Sequence, residues 1–96
     1  MRKKIPYGTK LPVFFTGQEC DLVREHTFYD PEFAPGIKSD AKKVQINMDL
    51  DDIEDLQGYV AAEANHTPDK KLQKKLDMLF QKLQKFLDTY DDQGDM

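Results

Sequence analysis

The sequence predicts a mainly helical α+β domain, in the order β-α-β-α-α, with two short strands capping a C-terminal antiparallel helical hairpin. Three observations carry that prediction. Leu72, Leu76, Leu79, Leu83, Phe86 and Tyr90 recur at spacings of four and three, which places them on one face of a long helix. Ile53, Leu56, Val60 and Ala64 form a second stripe just upstream, and His66-Thr67-Pro68 interrupts the two. Residues 11–15 and 44–48 are short, strand-forming runs, and each is followed directly by a helix-opening residue.

In chain order, residues 1–9 are expected to be flexible, because Pro6 and Gly8 oppose regular structure. Leu11 to Phe15 is an apolar, aromatic run that reads as a strand. Thr16 with Glu19 three places later is the reciprocal capping box that opens a helix, expected to run to about residue 28. Leu22, Val23 and His26 share one arc of it, so His26 is expected to pack at the edge of the core. Asp30-Pro31-Glu32-Phe33 could form one helical turn before Pro35-Gly36 ends it. Val44, Ile46 and Met48 then alternate with Gln45 and Asn47, the pattern of a half-buried strand.

The hairpin follows. Asp49 is a good N-cap for a helix over residues 50–65, and Asp51, Asp52, Glu54 and Asp55 suit the positive end of its dipole. Gly58, Ala61 and Ala62 are small enough to admit a close neighbour. Thr67 is expected to cap the last helix, with Pro68 at its first position, where a missing N–H costs nothing. So short a break makes the helices antiparallel neighbours. Phe80 and Leu87 broaden the last stripe to a/d/e positions, which suits packing inside a globular fold better than a two-stranded coiled coil. The g positions Lys75, Lys82 and Thr89 find no acidic e partners. After Tyr90, residues 91–96 read as a disordered acidic tail.

The two halves also echo each other. Setting Thr16 against Asp49 aligns Val13 with Ile46 and Glu19 with Asp52, giving strand, cap and helix twice. Two such units could pair their strands antiparallel about a local pseudo-twofold axis. Residues 10–90 are thus expected to form one domain, with a cap at 10–48 and the hairpin at 49–90. A chain of 96 residues can bury about 60–65% of its unfolded surface.

No motif specifies a chemistry. Cys20 and His26 lie about 9 Å apart along one helix and about 240° around it, so they cannot form a nucleophile and base within that helix. Asn47, Asp49 and Asp51 mimic the opening of a calcium loop, but Asp52 stands where glycine belongs and Gly58 where a bidentate glutamate belongs. One cysteine and two scattered histidines give no zinc spacing, so no metal, cofactor or catalytic residue is expected. The basic start Met1-Arg2-Lys3-Lys4 lacks the apolar stretch of an export signal. Without export, the sequon Asn65-His66-Thr67 carries no meaning. A single cysteine fits a cytoplasmic location, and no apolar run is long enough for a membrane span.

Charge layout says more. Lys70, Lys71, Lys74 and Lys75 gather at the start of the last helix, while Asp88, Asp91 and Asp92 gather at its end. A hairpin so charged is expected to be basic at the His66 turn and acidic at the opposite pole. His66, Thr67, Lys70, Lys71 and Lys74 could hold an anion or a partner's carboxylate there, against the plainer reading of a solvated lysine face. Two function classes follow. The first is a non-enzymatic protein–protein interaction or accessory-subunit domain, with an unidentified protein partner or a second copy as a homodimer. The second is a small nucleic-acid-associated regulator using the basic N-terminus and the Lys70–Lys75 pole; a net charge of −4 and a pI near 5.0 weigh against nucleic acid.

Overall fold

A computed structural model describes residues 3–27, 29, 33, 34 and 36–92 of the chain. Among them the order is β1 (Lys3–Ile5), β2 (Leu11–Phe15), α1 (Gly17–His26), β3 (Val44–Met48), α2 (Leu50–His66), α3 (Lys70–Thr89) and β4 (Tyr90–Asp92). The α+β, mainly helical class therefore holds, with two strands more than the sequence pattern predicts.

Strands β2 and β3 pair antiparallel, Val13 opposite Ile46, Leu11 opposite Met48 and Phe15 opposite Val44. That register is the one a twofold through the Val13–Ile46 pair requires. Both following helices open with a complete capping box. The Thr16 hydroxyl accepts from the Glu19 N–H at 3.1 Å while a Glu19 carboxylate oxygen accepts from the Thr16 N–H at 2.8 Å. Asp49 and Asp52 repeat the exchange at 2.8 and 3.3 Å. Leu11, Val13, Phe15 and Met48 point into the core, with Pro12, Phe14, Gln45 and Asn47 on the outer face.

Helices α2 and α3 fold back on one another across the three residues 67–69. Ile53, Leu56, Val60 and Ala64 are buried with Leu76, Leu79 and Leu83 in one cluster. Buried Gln57 donates from Nε2 to Gln84 Oε1 at 2.7 Å and to the Phe80 carbonyl at 3.5 Å, which fixes the antiparallel alignment. Gly58 does not serve close approach: it faces open space, and Ala62 is exposed beside it. The close approach lies at Gly17 instead. A Cβ there would collide with the Lys38 carbonyl oxygen and come within 2.8 Å of the Ser39 carbonyl group.

Several boundaries differ from the sequence expectation. Helix α3 is capped by Asp69, whose Oδ1 accepts from the N–H groups of Lys71 at 2.9 Å and Leu72 at 3.2 Å. Thr67 closes α2 instead, donating its N–H to the Glu63 carbonyl at 2.9 Å, and Pro68 precedes the cap. A carboxylate reaching two amides outcompetes the hydroxyl two places earlier. His26 is exposed, in the last turn of α1, rather than packed at the edge of the core.

Within residues 1–9, Lys3–Ile5 are a strand rather than loose chain. Strand β1 runs parallel to β4, Lys3 opposite Tyr90 and Lys4 opposite Asp91, and Ile5 is buried. Pro6 and Gly8 oppose regular structure only after that strand, where Gly8 takes a φ of +83° in the turn leading to β2. In the same way, residues 91 and 92 belong to β4. The helical turn expected at residues 30–33 falls, apart from Phe33, outside the described residues, as does the tail from residue 93.

Arg24 holds Phe33, Ala34 and Ile37 of the connection between α1 and β3. Its guanidinium donates to the carbonyls of Phe33, Ala34 and Ile37 and to the Asp21 carboxylate, which also accepts from Ser39. Phe33 meets Phe15 edge-on at 5.3 Å and Tyr29 at 5.9 Å, and Tyr29 meets Tyr59 of α2 at 5.8 Å. This aromatic chain ties the long connection to the sheet and the hairpin.

Candidate docking groove

The broad a/d/e stripe of α3 is shared between two neighbours. Its Phe80 side faces α2, where Gln57 reaches the Phe80 carbonyl. Its Lys82 side faces α1. The ammonium of Lys82 lies 2.8 Å from Glu19 Oε1 and 5.4 Å from the centre of the Phe15 ring. The missing acidic partner of this g position is thus the capping-box glutamate of another helix. A half-buried bridge between cap and helix aligns α3 with α1, although its net contribution to stability is about 1 kcal/mol or less.

Beyond that bridge an open groove of about 570 Å³ lies between α1 and the first half of α3. Leu22 and Leu72 supply its apolar floor, and Met78, 66% exposed, stands at its edge. Glu19, Asp21, Glu25 and His26 line the α1 side; Asp69, Lys71 and Lys75 line the α3 side. Three of these carboxylates already have partners. Glu19 is held by Lys82, Asp21 by Arg24 and Ser39, and Asp69 by the first amides of α3. The hydrogen bonds from Ser39 and Arg24 hold the Asp21 carboxyl below its ordinary pKa. Lys71 and Lys75 have no ion-pair partner among the described residues.

Of the residues expected to bind an anion or a partner, Lys71 lines this groove. His66, Lys70 and Lys74 are exposed outside its lining, and Thr67 is half-buried in the turn, accepting from the Asp69 N–H at 3.2 Å. The amides of Lys71 and Leu72, which the anion reading needs, point at the chain's own Asp69 carboxylate. The opposite pole is less acidic than the hairpin alone suggests. Lys10 bridges Asp49 at 3.5 Å and Asp52 at 3.0 Å, and β1 brings Lys3 and Lys4 beside Tyr90 and Asp91. Lys3 and Lys4 therefore sit at the opposite end of α3, a helix about 30 Å long, from the Lys70–Lys75 pole.

Cys20 is fully buried in the core, and burial pushes its thiol pKa up, away from the reactive thiolate. Among the described residues no cluster of three His, Cys, Asp or Glu side chains could hold a metal ion. No helix among them is long and apolar enough to cross a membrane. Comparison with protein-family models, with curated proteins and with solved structures finds no match.

Sequence reasoning missed the groove because its walls come from helices distant in the chain. The available hints were Lys82 without a partner on its own helix, and Met78 standing apart from the a/d/e stripe.

Proposed function

We propose that the chain is a non-enzymatic interaction domain that docks a segment of another protein between α1 and α3. The observation that supports this reading is the groove itself: an apolar floor and an exposed methionine, rimmed by charges of both signs. Exposed methionine is common on surfaces that receive apolar side chains, because its flexible thioether adapts to the partner. The reading predicts that an affinity-tagged chain retains a partner from lysate and that Met78→Gln loses it while keeping its thermal stability. Equal retention by both proteins would refute it.

A nucleic-acid-associated regulator is the second reading, favoured by Lys70, Lys71, Lys74 and Lys75, which are exposed and have no ion-pair partner among the described residues. It needs phosphate contacts that avoid the four carboxylates lining the adjoining groove. Titration with duplex DNA and with RNA at low salt tests it, and absence of binding there removes it.

A further inference from the structure

We propose that the occupant of the groove is an amphipathic helix of a partner protein whose flank facing α3 carries carboxylates one helical turn apart. The proposal rests on the docking reading above and adds the chemistry of the partner.

Shape argues for a helix. A channel between two helices is the complement of a third, whose apolar side chains at i, i+3, i+4 and i+7 would lie over Leu22, Leu72 and Met78. Helix α1 has ten residues, about 15 Å, so two to three turns of the partner would span the site. A second copy of this chain set groove to groove fits poorly, since two concave surfaces face to face enclose a void.

Charge argues for the acidic flank. Glu19, Asp21 and Asp69 are already engaged within the fold, so they offer little to an incoming cation. Lys71 and Lys75 are spaced i, i+4 on one side of α3, exposed, and without carboxylate partners among the described residues. Carboxylates at i and i+4 of the partner would meet them. On the other wall, Glu25 is the one lining carboxylate with no partner among the described residues, which suits a basic residue on the partner's second flank. Such pairs steer encounter and select among partners more than they add raw affinity.

The test uses the full chain and two synthetic amphipathic helical peptides with the same leucine stripe. In one, the flank positions are glutamate; in the other, lysine. Isothermal titration at low salt is expected to show the glutamate peptide binding about tenfold more tightly, with the preference shrinking as salt screens the pairs. The double variant Lys71→Glu/Lys75→Glu is expected to reverse the preference. Both positions are exposed, so the fold should tolerate them. Equal binding of the two peptides, weakened in both cases by Met78→Gln, would leave a docking groove but overturn its acidic partner. A preference that the lysine variants do not reverse would also overturn it. Binding of neither peptide would overturn both this inference and the docking reading.

Discussion

Replacing Gly17 by alanine sets local preference against tertiary packing, with opposite signs. Gly17 is the first residue of α1, outside the left-handed region, so propensity alone predicts that alanine stabilises by up to about 1 kcal/mol. The added Cβ, however, meets the backbone of Lys38 and Ser39, and backbone cannot swing aside as a side-chain tip can. Relieving the overlap costs about 1–3 kcal/mol. Moving the strand of chain at residues 38–41 also strains the 2.7 Å bond from the Gly17 N–H to the Ala41 carbonyl, worth about 0.5–1.5 kcal/mol. The net expectation is a loss of about 1–3 kcal/mol, a fall in Tm of roughly 5–20 °C for a domain of this size. Gly58→Ala is the control. Nothing lies within 4 Å of its Cβ position, so it should gain about 0.5–1 kcal/mol. Urea and thermal unfolding of the two variants decide the matter. A Gly17→Ala protein as stable as the wild type would refute the close approach on which the position of the 36–41 segment depends.

Other consequences are as direct. Leu83 is fully buried at the centre of the α3 stripe, so Leu83→Ala should cost about 2–5 kcal/mol in urea unfolding; a cost below 1 kcal/mol would mean that stripe is not core. The Asp49 carboxyl is held below its ordinary pKa, chiefly by the Asp52 N–H and further by Lys10, while partial burial opposes them. Its charge therefore stabilises the fold above the unfolded value of about 3.9, and that contribution fades as pH falls through the lower folded value. Asparagine caps equally well without the charge, so the stability gap between wild type and Asp49→Asn should be largest near neutrality and close in acid; a gap independent of pH would contradict this. Cys20 should resist iodoacetamide in the native state and react once urea unfolds the chain. Rapid native labelling would contradict its burial.

The elements legible in the sequence are those whose signals are local. Thr16 with Glu19, and Asp49 with Asp52, announce their helices within four residues, and the leucine stripe of α3 repeats often enough to outweigh any single position. The echo between the two strand–helix units pointed to the antiparallel pairing of β2 with β3, although the register itself was not legible from it. What stayed hidden depends on distant partners. Strand β1 has three residues, and only β4, at the other end of the described chain, makes it a strand. At residues 67–69 two caps competed, and proline geometry favoured Thr67 until the reach of the Asp69 carboxylate decided it. His26 shared an arc with buried Leu22 and Val23, yet it lies in the last turn of α1 and is exposed. The groove was the least legible feature, since no helix pattern says which of two neighbours leaves a gap.

The most direct measurement is chemical-shift mapping on the methyl-labelled chain during titration with the glutamate peptide. The account predicts that the resonances of Leu22, Leu72 and Met78 move together and saturate at one equivalent, with those of the α2 face of α3 left in place. Shifts confined to the sheet methyls of Val44 and Ile46, or none at any concentration, would contradict it.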